Sequence, residues 1–160
     1  LVLRASGLGT SLFGGEPDGV IRYVTSIVGG PTRDTGWVAP ASINAPCPGS
    51  EVRFVDWGDL SLFFTDDSPA ASGVRHFASY TYGPPSGAAA VPAGLATTGG
   101  ITIGSTVRDL QIAHPDAIVN PEDEISGPSF LIAEGLFGFL TGVGDGDTVI
   151  SFVGGVGCGE

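Results

Sequence analysis

The sequence predicts an α+β fold built from two tandem units, each a short helix packed on one face of a largely antiparallel sheet. Three observations carry that expectation. Glycine supplies 27 of 160 residues and proline 12, which implies many turns and short strands rather than long helices. Apolar residues make up 42% of the chain and charged ones 14%, enough to bury a core and too few charges for disorder. A helix, hairpin, strand order also occurs twice, about ninety residues apart.

The first copy opens on Gly7-Leu8-Gly9 and Phe13-Gly14. Val20, Val24, Ile27 and Val28 then recur at helical spacing. Glu16, Pro17 and Asp18 suit the first turn of that helix, and Gly29-Gly30-Pro31 ends it. Glu51 to Trp57 and Leu60 to Thr65 flank Gly58-Asp59, which reads as a hairpin turn, and a third strand runs from His76 to Tyr82. The second copy opens on Gly99-Gly100-Ile101 and Ile103-Gly104. Ser105 or Thr106 can cap a helix with Val107 and Leu110 on one face, and Pro115 stops it. Phe130 to Ala133 and Leu136 to Thr141 flank Glu134-Gly135, with a last strand from Thr148 to Val153. The expected organisation is a first unit at 1–83, a Pro/Gly/Ala linker at 84–94 and a second unit at 95–160. Chance likeness between glycine-rich strand-turn-strand segments is the competing explanation of the repeat.

Seventeen acidic residues face six basic ones, all arginine, for a net charge of −11. Nucleic acid and anionic lipid need a basic patch, so neither is an expected partner. Asp66-Asp67 and Glu122-Asp123-Glu124 read as solvated loop charges. The sequence has no methionine, at position 1 included, so Leu1 is expected to be exposed by cleavage or trimming, with any export signal or lipoprotein anchor already gone. No window approaches the roughly 20 apolar residues that span a bilayer. Cys47, in a Pro-Cys-Pro-Gly loop, and Cys158, in the glycine-rich tail, are the only cysteines. Without a CxxC or Cys/His cluster they suit one structural disulfide in an oxidising compartment, secreted or cell-envelope, the alternative being two inert thiols. Closing a loop of that size would add about 4–5 kcal/mol on chain-entropy grounds.

The residues from Phe13-Gly14 to Gly30-Pro31 with Trp57-Gly58-Asp59-Leu60, and the Gly-Ser-Thr-Val-x-Asp-Leu run at 104–110, carry a resemblance. One short helix and three antiparallel strands used twice resembles the tandem-repeat fold of the secreted β-lactamase-inhibitor-protein family. It is similar also to the small outer-membrane lipoproteins of the SmpA/OmlA type and to exported proteins common in high-GC actinobacteria. The resemblance covers most of the chain and implies its fold. No inhibitory residue carries over, and one cysteine pair spanning both halves replaces that family's bridge within each unit.

Chemistry-bearing patterns are sparse. His76 and His114 with the many serines permit a Ser-His-Asp set, but no Gly-x-Ser-x-Gly elbow is present. His114 reads as a helix-end residue and His76 as a half-exposed strand residue. Asp145-Gly146-Asp147 places two carboxylates around glycine as a calcium loop would, yet lacks the further acids, and Asp-Gly between strands is a turn signal. No cofactor is expected.

Aromatic surface remains. Trp37, Trp57, Phe63, Tyr80 and Tyr82 fall in or beside the first unit's sheet, and strict alternation places Tyr80 and Tyr82 opposite Phe77. If Phe77 faces the core, the tyrosines form an outward contact patch; in the converse they are the core. The expected function is therefore a non-enzymatic, exported binding protein that meets a protein partner through an open sheet face and the Gly36 to Gly49 loop. A structural accessory subunit of a larger secreted or envelope assembly is the alternative, and a secreted hydrolase the third reading.

Overall fold

A computed structural model describes residues 1–44, 46–84, 89–122 and 127–158. Residues 85–88 of the expected linker and Asp123 and Glu124 of the acidic run lie outside the described residues. The chain forms β1 (Val2–Arg4), β2 (Gly7–Leu8), β3 (Ser11–Leu12), α1 (Pro17–Val28) and β4 (Arg33–Asp34). A 3-10 turn at Pro40–Ile43 precedes three longer strands, β5 (Val52–Trp57), β6 (Leu60–Ser68) and β7 (Ala71–Tyr82). Then come β8 (Ala96–Thr97), α2 (Val107–Ala113), β9 (Ile118–Asn120), β10 (Ser129–Ala133), β11 (Leu136–Leu140) and β12 (Val149–Gly155).

The architecture is α+β and mostly antiparallel. Eight strands make one antiparallel sheet in the order β4-β5-β6-β7-β12-β11-β10-β9, so the last strand of each half meets the other in the middle. The remaining strands form a small sheet, β3-β2-β1-β8, whose β1–β8 pair is parallel. Local chemistry explains the elements. Gly58, at φ 62°, turns Trp57 back onto Leu60, and Gly135, at φ 88°, turns Ala133 onto Leu136. The Glu16 carboxylate caps α1 by accepting from the Asp18 and Gly19 N–H groups at 3.0 and 2.7 Å. The Thr106 hydroxyl caps α2 by accepting from Asp109 N–H at 3.1 Å, while Ser105 accepts from Thr102 N–H instead.

Both helices lie on the same face of the large sheet. Val20 and Val24 of α1 and Val107 and Leu110 of α2 join one core with Trp57, Leu62, Phe77, Tyr80, Phe130 and Phe152. Ile27 departs from the expected helical stripe and is 49% exposed. The two helix entries share a backbone pattern. Gly14 N–H donates to Phe77 O and Phe77 N–H to Gly15 O, at 2.8 and 2.9 Å. Gly104 N–H donates to Val149 O and Val149 N–H to Ser105 O, at the same two distances. No helix among the described residues is long and apolar enough to cross a membrane.

The expected outward tyrosine patch is corrected by one residue. Phe63 pairs with Ser79, but its neighbour Phe64 pairs with Phe77, leaving Ala78 as an unpaired bulge. An extra residue reverses the alternation, so Phe77 and the two tyrosines all point to the helix face. Tyr80 and Tyr82 are 0% and 1% exposed. Their hydroxyls donate to the Arg4 carbonyl at 2.9 Å and the Pro92 carbonyl at 2.6 Å. Burial pushes both phenol pKa values up. Trp57 is likewise core, and its indole N–H donates to the Gly29 carbonyl at the end of α1, 2.9 Å away.

Candidate functional site

The face of the large sheet away from the helices is the candidate site. In an antiparallel ladder directly paired residues share a face, so the registers assign its members. Beginning at β4, that face carries the pair Arg33–Asp56, then Phe54–Phe63 and Ser61–Thr81. Thr81 pairs with Val153, Val153 with Phe137, and Phe137 with Leu131. Ser151–Phe139–Ser129 and Ile118 continue it to the outer strand β9. Phe54, Leu131, Phe137, Phe139 and Val153 are partly exposed, and Thr81, Ile118 and Asn120 are exposed. Phe137 and Phe139 stack edge to face, 6.2 Å apart.

Charge is almost absent from these strand positions. Arg33 and Asp56 are the exception, paired at 2.6 Å at the β4 edge, with Asp56 also accepting from the Ser61 hydroxyl. The other ion pairs lie elsewhere. Arg53, on the helix side of β5, bonds Asp34 at 2.6 and 2.9 Å and reaches Asp18 in the first turn of α1 at 3.3 Å. The Arg53 guanidinium holds the Asp34 carboxyl below its ordinary pKa against the opposing effect of burial. Asp66 is also held low, first by the Ser50 hydroxyl and then by the Ser50 and Glu51 N–H groups.

Of the five aromatic residues singled out from sequence, Phe63 alone both pairs on this face and packs in its apolar layer, where it is buried. Trp57, Tyr80 and Tyr82 belong to the opposite face. Trp37 sits half-buried in the loop, with the Arg75 guanidinium 4.5 Å above its ring and Arg75 donating to both carboxylate oxygens of Glu51. Phe54, Phe137 and Phe139 were missed. A readable signal existed: Gly138 between two phenylalanines in a strand implies that a large side chain fills the glycine's side. Phe130 does so, its ring atoms 2.6 and 2.8 Å from where a Gly138 Cβ would stand.

Cys47 and Cys158 form a disulfide across 111 residues. The bridge lies on the open face, where Cys47, Cys158, Val38 and Ile43 cover a small apolar cluster of Val52, Phe63 and Ala78. Beside it a groove of about 180 Å³ runs between Phe54, Phe63, Thr81, Val153 and Cys158. A larger groove, about 330 Å³, lies beyond the sheet end between Phe13, Ala70, Val156 and Glu134.

The remaining candidates resolve into structural contacts. Asp147 accepts from Gly144 N–H at 2.9 Å and the Thr141 hydroxyl at 3.2 Å, so its oxygens are committed to the turn. Among the described residues no group of three or more His, Cys, Asp or Glu could hold a metal ion. His76 is 1% exposed rather than half-exposed. Its ring contacts the Val74 carbonyl and the Ser68 hydroxyl, each at 2.6 Å. A carbonyl can only accept, so Nδ1 donates to it and Nε2 faces Ser68. No carboxylate orients this imidazole, and Ala70 N–H already donates to Ser68 Oγ, so the pair ties the β6–β7 hairpin. His114 bonds Thr97 at 2.8 Å and closes α2 by donating its backbone N–H to Leu110 O. No family model matches this chain, and no curated protein or solved structure matches it either.

Proposed function

We propose that this protein is an exported, non-enzymatic binding protein that engages a protein partner through the open face of its eight-stranded sheet. One observation carries the reading. In a chain of net charge −11, the face lined by Phe54, Phe137 and Phe139 holds, among the described strand residues, one ion pair at its edge and otherwise presents uncharged polar and apolar groups. Charge depleted from the centre of a patch and aromatic residues gathered there are what protein interfaces have in common. The disulfide is compatible with an extracytoplasmic setting.

The proposal includes a tandem origin for the sheet, in keeping with the likeness to inhibitor-protein and SmpA/OmlA-type folds. The mirrored strand order supports it, as do the matching bonds of Gly14 to Phe77 and Gly104 to Val149. With Gly14 set on Gly104, Pro17 and Val20 fall on Val107 and Leu110, and all four are buried.

Affinity capture from the producing cells tests the binding reading. A Phe137→Ala/Phe139→Ala variant with unchanged near-UV circular dichroism should lose the recovered partner. Full retention of that partner would sink the reading.

A further inference from the structure

The geometry points to the Cys47–Cys158 bridge as a redox-released lid over the first-half end of the open sheet face, with the fold's main core independent of it. This deepens the function proposed above and rests on it for its biological meaning, but not for its test.

Two apolar clusters occupy opposite faces of one sheet. The large one, on the helix side, includes Trp57, Tyr80, Phe130 and Phe152 and neither cysteine. The small one consists of Val52, Phe63 and Ala78; Phe54 of the sheet packs on it from one side, and the loop side chains Val38 and Ile43 with the two cysteines cover it from the other. Phe63 is 3% exposed even though its strand position faces away from the core. The lid and the neighbouring Phe54 ring, 5.0 Å away, bury it together.

The lid's anchors are unequal. The start of the loop is held by paired backbone bonds between Val38 and Val52, at 2.8 and 2.9 Å. Its end is held where Thr65 donates to the Pro48 carbonyl at 2.8 Å. Both cysteines are partly exposed, and the disulfide joins the tail beyond β12 to the loop. Gly157 and Cys158 form one wall of the 180 Å³ groove, and Phe54 and Phe63 form another. Releasing the bridge removes the covalent tie between tail and loop, which lets the groove widen into the Phe63 cluster. The apolar strip thereby lengthens from Phe137 and Val153 to Phe63 and Val52.

The release is thiol–disulfide exchange with a dithiol reductant. One thiolate attacks a sulfur of the bridge and expels the other cysteine as thiolate. The second thiol of the reductant then displaces the mixed disulfide, leaving Cys47 and Cys158 as thiols and the reductant as a cyclic disulfide. Two electrons and two protons are transferred.

The test compares the oxidised protein, the dithiothreitol-reduced protein and a Cys47→Ser/Cys158→Ser variant by hydrogen exchange, near-UV circular dichroism and bis-ANS fluorescence. Exchange at residues 39–44 and 156–158 should accelerate by about tenfold or more on reduction, with β7 and β12 unchanged. Bis-ANS emission should rise about threefold, and Phe63→Ser should remove that rise. An Ile43→Ser variant with its disulfide intact should give part of the rise, so the lid remains testable if the cysteine variant folds poorly. Loss of the near-UV signal on reduction would overturn the proposal, because the bridge would then hold the whole fold. Unchanged exchange and dye binding would overturn it as well, because the bridge would then cover nothing. Neither result touches the Phe137/Phe139 capture experiment, which judges the binding face separately.

Discussion

Gly154→Ala tests the reversed alternation of β7 through a single methyl group. Gly154 pairs with Tyr80, and the phenol ring occupies the space where a side chain at 154 would stand. A Cβ there would stand 2.2 Å from Tyr80 Cε1 and 2.3 Å from Cζ, more than 1 Å inside the ordinary contact distance. The ring cannot swing away freely, because its hydroxyl is bonded to the Arg4 carbonyl and Phe13 stacks beside it at 6.1 Å. Overpacking of this kind costs about 1–3 kcal/mol. The backbone of Gly154 is not in the left-handed region, so the stiffer unfolded chain of an alanine variant returns about 0.4–1 kcal/mol. The net loss, about 1.3 kcal/mol at the middle of these ranges, corresponds to a melting temperature about 3–5 °C lower for a domain of this size. Calorimetry measures it, with Gly146→Ala as the control, since nothing lies within 4 Å of a Cβ there. A Gly154→Ala melting temperature equal to or above that of the parent would refute the seating of Tyr80 in the core.

Two pH dependences follow. Asp34 is held below its ordinary pKa by Arg53, so its contribution is complete above about pH 4 and fades as pH falls through its folded value. Asp34→Asn should therefore destabilise by about 0.2–1 kcal/mol at pH 7, the range of partly exposed pairs, with the gap closing below pH 4 in urea titrations. A gap that did not shrink at all as pH fell below about 4 would exclude the ion pair as its source. At the alkaline end, Tyr80 and Tyr82 resist ionisation in the folded chain while unfolded tyrosine ionises near pH 10. Stability should thus fall as pH rises above about 10, and a Tyr80→Phe/Tyr82→Phe variant should show a shallower fall; equal slopes would contradict the burial of the phenols.

Features set by local chemistry were legible in the sequence. Gly58-Asp59 and Glu134-Gly135 carry their turns, Pro17 and Gly29 bracket α1, and the isolated cysteines pair. What depended on strand registration was not. Ala78 carries no mark of a bulge, yet it decides the facing of Tyr80 and Tyr82, and the partner strand alone reveals it. The Pro69-Ala70 turn has no glycine, so the full lengths of β6 and β7 were hidden, and β9 is three residues long. An open sheet face was the expected kind of site. Its aromatic members changed, because Leu136, Phe137, Phe139 and Leu140 are all large and apolar, so alternation does not say which side is the core.

Hydrogen exchange of the captured complex reads out which face of the sheet meets the partner. With partner bound to the oxidised protein, exchange should slow in β10 and β11 around Leu131, Phe137 and Phe139, with no protection added in α1 or α2. Protection confined to the helices or to the Phe13–Val156 groove would contradict it.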